Sequence, residues 1–424
     1  MEVHKSNLLK RCVSAIVYGV GGAVGSRVLM FLANLFLSRM LGQEVFGQYS
    51  SLSSTVNLFV TFSGMGVSAT LTRYVAAYKN DREKLGIYIR TLNSICMAMS
   101  AILSMAMLFF ARQISQLSTG GMELTVYFRI VAISVFFASM SAVEQSVLIG
   151  FEKFRISSVI QLIRCGLFLG LAVILSQQWG IYGAVYALLI SHGLQYFVSA
   201  IVNKRSYSNR KILLKWQWNA DIKYAAVSYA VPAFISGLCV VPVQWIGNAM
   251  LTRTAGFEQM AIFTVCNQWM QYVTYIPSQM GQMRPIYTDL YVNDDRKNLA
   301  KLVGRVTLST TGVAATIALV LSLGSGFVLT MYGDSYMNGK LAFIFMLTAA
   351  VLFTAQVQTG FVLQAMNKMW LSVGINILWG IVLIGSFAFL LQYEAVGYAA
   401  SFCISYFVSL FIQWVILLKS LRST

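Results

Sequence analysis

The feature that most constrains this chain is the alternation of positive charge between long apolar segments. Twelve helix-length apolar segments can be marked along its 424 residues. A run of roughly 20 apolar residues spans the hydrocarbon core of a membrane as a helix. The segments cover 12–38, 47–70, 87–111, 124–150, 156–176, 180–202, 222–250, 257–286, 303–330, 341–366, 370–391 and 395–418.

The gaps between these segments differ in their content of Lys and Arg. Most of the 31 Lys and Arg lie in the N-terminus, in alternate gaps and in the C-terminus. Lys and Arg are retained on the cytoplasmic side of membrane proteins. The alternation therefore predicts an even number of spans, with both termini in the cytoplasm. The gaps on the predicted outer side contain only Arg39, Arg112, Arg253 and Lys340.

Composition supports an integral membrane protein. The chain is 58% hydrophobic and 11% charged, whereas a soluble domain has about 25% charged residues. Its net charge of +17 is explained by basic cytoplasmic loops, which attract anionic lipid head groups. We find no nucleic-acid-binding motif and expect no nucleic acid partner. The six cysteines lie in apolar segments without a CxxC pair, so no disulfide, metal site or cofactor is expected.

The two halves of the chain resemble each other at an offset near 214 residues. The sequence SRMLGQEVFGQYS (38–50) aligns with TRTAGFEQMAIFT (252–264), and YKNDREK (78–84) resembles YVNDDRK (291–297). Asn34 falls on Asn248 at the same offset. Six helices and a cytoplasmic loop separate the copies, so the sequence predicts parallel repeats of a transporter, with the substrate path between them.

The repeat divides the chain into three parts. We predict an N-terminal six-helix lobe (1–202), a basic cytoplasmic linker (203–221) and a C-terminal six-helix lobe (222–424). The expected fold class is an all-α integral membrane protein with twelve transmembrane helices. Its two lobes are expected to form a V around a central cavity.

Polar residues at helical spacing indicate how that cavity is lined. A polar side chain within hydrocarbon normally faces a partner or a water-filled cavity. The stripes fall at equivalent positions of the two repeats and predict a wet cavity, and hydrogen bonding between packed helices is the alternative. The predicted lining consists of Asn34, Ser54, Asn57, Thr61, Asn248, Gln268, Gln271, Tyr272, Tyr275, Gln279 and Gln282.

Charged residues inside the apolar segments are concentrated in the first half. Arg27 and Arg164 lie near mid-helix, where snorkelling to the interface is difficult, and we predict that they form a positive wall for an anionic ligand. Arg129 either shares that role or snorkels at the outer end of its helix. Glu144 is a candidate coupling residue or the partner of Arg164 or Arg27 in an ion pair. His192 is either a hydrogen-bonded packing residue or a proton carrier.

Missing motifs argue against an enzyme. The chain contains no G-x-x-x-x-G-K-[ST], HExxH or GxSxG sequence. The predicted outer loops are short, and their carboxylates are dispersed without a histidine. A membrane-embedded glycan-modifying enzyme therefore stays only as a further alternative.

Several stretches resemble the Wzx-type polysaccharide flippases. These are LSRMLGQEVFGQYS after the first helix, SATLTRYVA at the end of the polar second helix, GFEKFR (150–155) and NKMWLSVGINI after the tenth helix. The twelve expected spans fit the same family, which belongs to the superfamily of the MATE drug exporters and the MurJ lipid II flippase. The resemblance extends over essentially the whole chain.

The resemblance implies alternating access and an undecaprenyl-diphosphate oligosaccharide as substrate. It also implies O-antigen, capsule or related polysaccharide assembly in a bacterial inner membrane. Cations that contact the diphosphate in related lipid flippases carry over to Arg27, Arg39 and Arg253, beside Arg164 from the charge analysis. Membrane lipids, a coupling ion (proton or sodium), and polysaccharide polymerase and chain-length proteins are the implied partners. The main alternative is a MATE-like cation-coupled multidrug exporter, although such a protein needs cavity carboxylates.

Overall fold

The structure is a computed structural model that describes residues 2–64, 66–225, 227, 231–279, 283–293, 295–366 and 369–422. Its regular elements are all helices in the described part of the chain. The chain divides into two compact units, one formed by Met1–Leu41 and Leu52–Leu238, the other by Gly42–Ser51 and Cys239–Thr424. The lobe limits of 1–202, 203–221 and 222–424 rest on the sequence repeat and stay predictions.

The first unit contains nine helices that the structure describes in whole or part, although residues 42–51 of the first helix belong to the second unit. A glycine divides the long first helix, and the others follow in short succession along the chain. They are α1 (Glu2–Gly64, divided at Gly42), α2 (Val67–Ala77), α3 (Arg82–Phe109), α4 (Ala111–Thr119), α5 (Thr125–Gly150), α6 (Phe154–Trp179), α7 (Ile181–Asn209), α8 (Ala220–Ala225) and α9 (Val231–Leu238).

Helix α5 is the central helix of the first unit. It packs against α2, α3, α4, α6 and α7, and α6 packs in turn along α7. Consistent with this position, its buried face includes Phe128, Val131, Val135, Val143 and Val147, all without exposed surface. Lipid tails are as apolar as these side chains, so moving the side chains from lipid into the protein gives no hydrophobic gain. The helices are held together by close packing and by hydrogen bonds between them.

The second unit repeats this arrangement. Its central helix is α14, which packs against α10, α11, α12, α15 and α16. The elements are α10 (Val241–Ser278, divided at Gly256), α11 (Arg284–Val292), α12 (Arg296–Leu323), α13 (Ser325–Thr330), a 3-10 turn (Asp334–Gly339), α14 (Lys340–Ala365), α15 (Met369–Leu390), a 3-10 turn (Leu391–Tyr393) and α16 (Glu394–Arg422).

Backbone geometry confirms the internal repeat at an offset of 214. Gly42 interrupts α1 with φ 77° and ψ 169°, and Gly256 interrupts α10 with φ 86° and ψ 178°. This region of backbone space is essentially restricted to glycine. Two glycines in the same rare conformation, 214 residues apart, show that both repeats break a long helix at the same point.

Helix termini repeat at the same offset. The carboxylate of Asp81 accepts a hydrogen bond from the Lys84 N–H and caps α3, while Asp295 accepts from the Asn298 N–H and caps α12. Gly180 before α7 has φ 55° and ψ −130°, and Glu394 at the start of α16 has φ 52° and ψ −130°. In the second repeat, Glu394 therefore adopts the backbone conformation that a glycine adopts at the equivalent position of the first repeat.

Eight helical stretches are long and apolar enough to cross a membrane. They are Gly21–Gly64, Arg82–Phe109, Thr125–Gly150, Phe154–Trp179, Ile181–Asn209, Lys297–Leu323, Asp334–Ala365 and Trp370–Leu417. The chain is thus a multi-span helical membrane protein. The first and last of these stretches, 44 and 48 residues long, are longer than the roughly 20 residues that one span requires.

Candidate functional site

The polar stripe of the second unit lies on the C-terminal arm of α10. Gln271 is exposed, while Gln268, Tyr272 and Tyr275 are half-buried. The Gln268 amide donates a hydrogen bond to the Tyr272 hydroxyl one turn further on. Gln279 follows the helix and is also half-buried. The remaining predicted member, Gln282, lies outside the described residues.

The stripe of the first unit lies on the C-terminal arm of α1. Asn57 is exposed, and Ser54 and Thr61 are half-buried. The Thr61 hydroxyl donates to the Asn57 carbonyl at 2.8 Å. The repeat-related Asn34 and Asn248 are both half-buried on the N-terminal arms of α1 and α10.

A second group of polar residues has the opposite character, because it is buried and bonded between helices. The Gln145 amide donates to the Ser199 hydroxyl at 2.9 Å, and the Gln358 amide donates to the Pro277 carbonyl at 3.0 Å. These residues are at most 9% exposed. Bonds of this kind hold helices together in a membrane. The described residues of the two stripes are all more exposed than this group.

The four predicted phosphate-binding arginines occupy two different environments. Arg27 on α1 and Arg164 on α6 are half-buried, whereas Arg39 and Arg253 are exposed. Helix α1 approaches α6 closely beside Arg27, since an added Cβ on Gly22 would meet the Ser158 side chain. Arg129 is exposed as well.

Arg164 is positive without a neighbouring acid in the described part of the chain. Its guanidinium donates to the Cys165 sulfur at 3.2 Å. The described ion pairs are Lys79–Glu152 and Lys215–Glu83, and neither involves Arg164.

One face of α7 forms a polar ladder through the first unit. Its steps are His192, Gln195, Ser199 and Asn203, at helical spacing. The hydroxyl of Ser134 lies 3.0 Å from Nδ1 of His192. Further partners lie on α5 and α6: Gln161 accepts from Gln195, Gln145 donates to Ser199, and Glu144 accepts from Asn203.

Glu144 is the terminal acceptor of this ladder, and the two described ion pairs do not include it. It is 6% exposed. The Asn93 amide donates to its Oε1 at 3.2 Å, and the Asn203 amide donates to its Oε2 at 2.6 Å. The same Asn203 amide donates to the Glu144 carbonyl at 2.9 Å. Two amides from α3 and α7 therefore solvate the carboxyl group.

Acceptor oxygens around Glu144 are in excess. The amide oxygens of Asn93 and Asn203 and the hydroxyl of Tyr207 are buried and have no hydrogen-bond partner in the described structure. Both side-chain oxygens of Glu144 already accept hydrogen bonds. A cluster with one carboxyl group and further oxygen acceptors is suited to a proton or a small monovalent cation, because hard cations prefer oxygen ligands.

Sequence reasoning missed Asn93 and Asn203. Asn203 could have been found, because it continues the face of His192, Gln195 and Ser199 by one turn. No comparable pattern of polar residues at helical spacing pointed to Asn93. It meets Glu144 across 51 positions of sequence, and that contact depends on how α3 packs on α5.

Solved structures with the same fold define the class of protein. An inward-facing multidrug resistance MATE family transporter of the MOP superfamily matches with a TM-score of 0.76 and 16% identity, over 94% of this chain and 95% of that one. A MOP superfamily transporter from Pyrococcus furiosus, for which a reversed polarity of the binding pocket suggests a different function, matches with a TM-score of 0.69, 14% identity and coverage of 98% and 97%. The chain has the helical fold of these transporters.

Sequence comparison then gives the family. The model of the family described as "Polysaccharide biosynthesis protein" matches residues 13–283. The chain belongs to this family, which confirms the resemblance to the Wzx-type polysaccharide flippases.

Curated relatives agree with this assignment. The EPS I polysaccharide export inner membrane protein EpsE of Ralstonia nicotianae is 26% identical over 275 residues, or 64% of this chain. The match spans 62% of EpsE, so the chain aligns with less than two thirds of that relative. A putative O-antigen transporter of Shigella flexneri is 21% identical over 400 residues, covering 90% of this chain and 91% of the relative.

Proposed function

We propose that this protein moves a lipid-linked oligosaccharide repeat unit from the inner to the outer leaflet of a bacterial inner membrane. The carrier is undecaprenyl diphosphate, and the product supplies O-antigen, capsule or a related polysaccharide. Membership of the family and the export and transport relatives support this proposal over an enzyme. The mechanism is alternating access, as expected for the fold.

The observation that carries the proposal is the positive charge in the first unit. Arg164 is half-buried in an apolar helix and has no described acidic partner. Glu144, the acid considered as its partner from the sequence, accepts hydrogen bonds from two asparagines. A cation in this setting attracts an anion, and a guanidinium binds a diphosphate through paired hydrogen bonds. Arg27, Arg39 and Arg253 complete the proposed diphosphate contacts.

The sugar part of the substrate requires a hydrated path. We assign it to the two stripes, whose amides, hydroxyls and phenols can exchange hydrogen bonds with sugar hydroxyls. Their exposure, compared with the buried polar pairs, supports this assignment. The polyprenyl tail stays in the lipid.

Coupling to an ion gradient is assigned to the Glu144 cluster, with His192 at the other end of the ladder. The ion is a proton or sodium. The unpartnered oxygens of Asn93, Asn203 and Tyr207 support this role.

We further propose twelve spans with both termini in the cytoplasm. The division of α1 at Gly42 and of α10 at Gly256, and the 3-10 turn before α16, support separate spans on each side. Single cysteines at Lys84, Lys153, Arg210, Lys297 and Lys368 should react only from the cytoplasm, and at Gln178 and Asp334 only from outside. Of these positions, Lys368 lies outside the described residues. A cysteine at Arg210 that reacts from outside contradicts this topology.

Charge removal tests the proposed function directly. In cells that lack the native gene, Arg27→Ala and Arg164→Ala should abolish surface glycan while the protein remains in the membrane. Arg27→Lys should retain partial export, because lysine supplies the charge without the planar fork. The measurement is surface glycan together with membrane protein level.

Arg82→Ala is the matched control, because Arg82 is exposed at the start of α3 in the same unit and has no proposed role in binding. It should export normally. Full export by the Arg27→Ala/Arg164→Ala double variant contradicts the proposal. Equal losses of protein and glycan would show a structural role for these arginines.

The MATE-like exporter remains the alternative function, since the fold is shared. It predicts resistance to cationic drugs in cells that express the protein, unchanged by Arg164→Ala. Association with polymerase and chain-length proteins is part of our proposal and can be tested by cross-linking in those cells.

A further inference from the structure

The linker after α7 lies against a membrane helix along much of its length. Its chain leaves α7 at Lys211, which has φ 54°, and continues without regular secondary structure over 212–219. Ile212 is buried. An added Cβ on Gly86 of α3 would lie 2.0 Å from the Leu213 carbonyl oxygen, so the linker backbone is in contact with that helix.

The deepest described contact of the linker is at Thr91. The Thr91 hydroxyl donates to the Gln217 carbonyl at 3.1 Å and accepts from the Gln217 N–H at 3.1 Å. With 1.5 Å of rise per residue, Gly86 and Thr91 lie about 6 Å and about 14 Å from the start of α3. Non-helical backbone at membrane depth requires internal partners, and Thr91 supplies both for Gln217.

Large apolar side chains project from this segment. Leu213 is 70% exposed, Trp216 is 63% exposed and Trp218 is 51% exposed. The two tryptophans flank Gln217. Tryptophan prefers the membrane–water interface, where its ring lies at the level of the lipid head groups.

Basic residues precede and follow the two tryptophans in the sequence. Lys215 extends back to Glu83, with its Nζ 3.5 Å from Oε1. Glu83 is in the first turn of α3, so the ammonium lies nearer the helix start than Gly86 and Thr91 do, as in a snorkelling lysine. Between positions 204 and 223 the sequence has one acid, Asp221, and its other exposed basic residues are Lys204, Arg205, Arg210, Lys211 and Lys223.

We propose that residues 211–219 form an interfacial anchor that binds anionic phospholipid head groups. Trp216 and Trp218 lie in the interfacial layer beside α3, and Lys211, Lys204 and Arg205 contact lipid phosphates. The partner of this surface is the lipid leaflet. The basic residues complement anionic head groups, and the backbone N–H and carbonyl of Gln217 are already hydrogen-bonded to Thr91, so this backbone can lie at membrane depth. The leaflet is the cytoplasmic one if the proposed topology holds, but the binding does not depend on transport.

Lipid quenching tests the location of the tryptophans. The full-length chain is placed in nanodiscs that carry bromine either near the head groups or deep in the acyl chains. The difference spectrum between the protein and Trp216→Phe/Trp218→Phe isolates these two of the eight tryptophans. We expect blue-shifted emission that shallow bromine quenches more strongly than deep bromine. Water-like emission that responds only to aqueous quenchers overturns the proposal.

Anionic lipid binding is tested with Lys204→Gln/Arg205→Gln/Lys211→Gln. Native mass spectrometry should show that this variant binds phosphatidylglycerol more weakly by about fivefold per removed charge, with little change for phosphatidylcholine. Lys301→Gln, at an exposed position of α12, is the control for a charge removed elsewhere, and it should weaken phosphatidylglycerol binding far less than the triple variant does. Unchanged phosphatidylglycerol binding by the triple variant overturns the assignment. Neither readout requires export, so a failed flippase hypothesis leaves this test intact.

Discussion

The two repeats share a backbone plan but differ in what they bury. At the offset of 214, Glu144 of the first repeat corresponds to Gln358 of the second. Glu144 accepts hydrogen bonds from two asparagines, while Gln358 donates to the Pro277 carbonyl. Asn203 corresponds to Leu417, which is fully buried in an apolar cluster. The first repeat therefore keeps an ionisable group where the second keeps a neutral one.

A second difference concerns a hydrogen bond that both repeats form between equivalent helices but with the donor and acceptor residue types exchanged. In the first repeat the Gln145 amide donates to Ser199. In the second, the equivalent positions are Thr359 and Gln413, and the Thr359 hydroxyl donates to the Gln413 amide oxygen. The amide and the hydroxyl have changed helices. Both repeats keep a polar pair between the central helix and its neighbour. The carboxyl group of Glu144 has no counterpart in the second repeat, and we therefore infer that it serves a function rather than packing.

Exchanging the buried groups should have the largest effect. Glu144→Gln copies the second repeat, and the unpartnered Asn93 and Asn203 oxygens can accept from the new amide. We expect a folded protein without glycan export. Gln358→Glu buries a carboxyl group without such donors and should destabilise the protein by about 3–5 kcal/mol. Membrane protein level, thermal unfolding in detergent and surface glycan distinguish the two. Normal export by Glu144→Gln rules out ion coupling at this cluster.

The two helix breaks should respond alike. Gly42→Ala and Gly256→Ala place a side chain in a glycine-only conformation, which costs about 1–3 kcal/mol each. Apart from the adjoining backbone, no atom of the described residues lies within 4 Å of either added Cβ, so the effect is conformational rather than steric. Thermal unfolding of the purified protein measures it.

Gly166→Ala and Gly304→Ala are the controls for these breaks. They also have open space at the added Cβ but lie within helices, so they should be neutral or slightly stabilising. A large difference between the Gly42 and Gly256 variants would contradict equivalence of the two breaks.

Glu394 offers a smaller effect of opposite sign. Its φ of 52° and ψ of −130° match those of Gly180, and its side chain is exposed. Glu394→Gly should stabilise the protein by about 1 kcal/mol, since it removes backbone strain. Gly180→Ala should destabilise it by a similar amount. Thermal unfolding that falls for both variants would refute this account of Glu394.

The polar pair gives the smallest expected effect. Gln145→Thr/Ser199→Gln transplants the second repeat's pair into the first. A double-mutant cycle should show a favourable coupling of about 0.6 kcal/mol between the two new residues. The double variant should stay less stable than the native protein, because it also loses the hydrogen bond that Ser157 donates to Gln145. A coupling of zero would show that the exchanged pair does not re-form between α5 and α7.

Features that depend on neighbours along the chain could be predicted from the sequence. Apolar length gives the membrane helices, the Asp at 81 and 295 caps the helices that follow, and Gly42 and Gly256 mark the breaks. These signals are local, because hydrophobic length, capping and backbone preference act within a few residues. The family resemblance could also be recognised from the sequence, because it rests on short continuous stretches of residues.

Only the tertiary structure decided which polar groups meet. From the sequence, Glu144 was either a coupling residue or the ion-pair partner of Arg164 or Arg27. Packing of α3, α5 and α7 placed it between Asn93 and Asn203. Likewise, Thr91 binds Gln217 across 126 positions of sequence, which turns a basic linker into a segment held against α3. Sequence periodicity gives the face of a helix on which a side chain lies. The partner on that face is fixed by helix packing, because hydrogen bonds form only within about 3.5 Å and each buried polar group must find its donor or acceptor there.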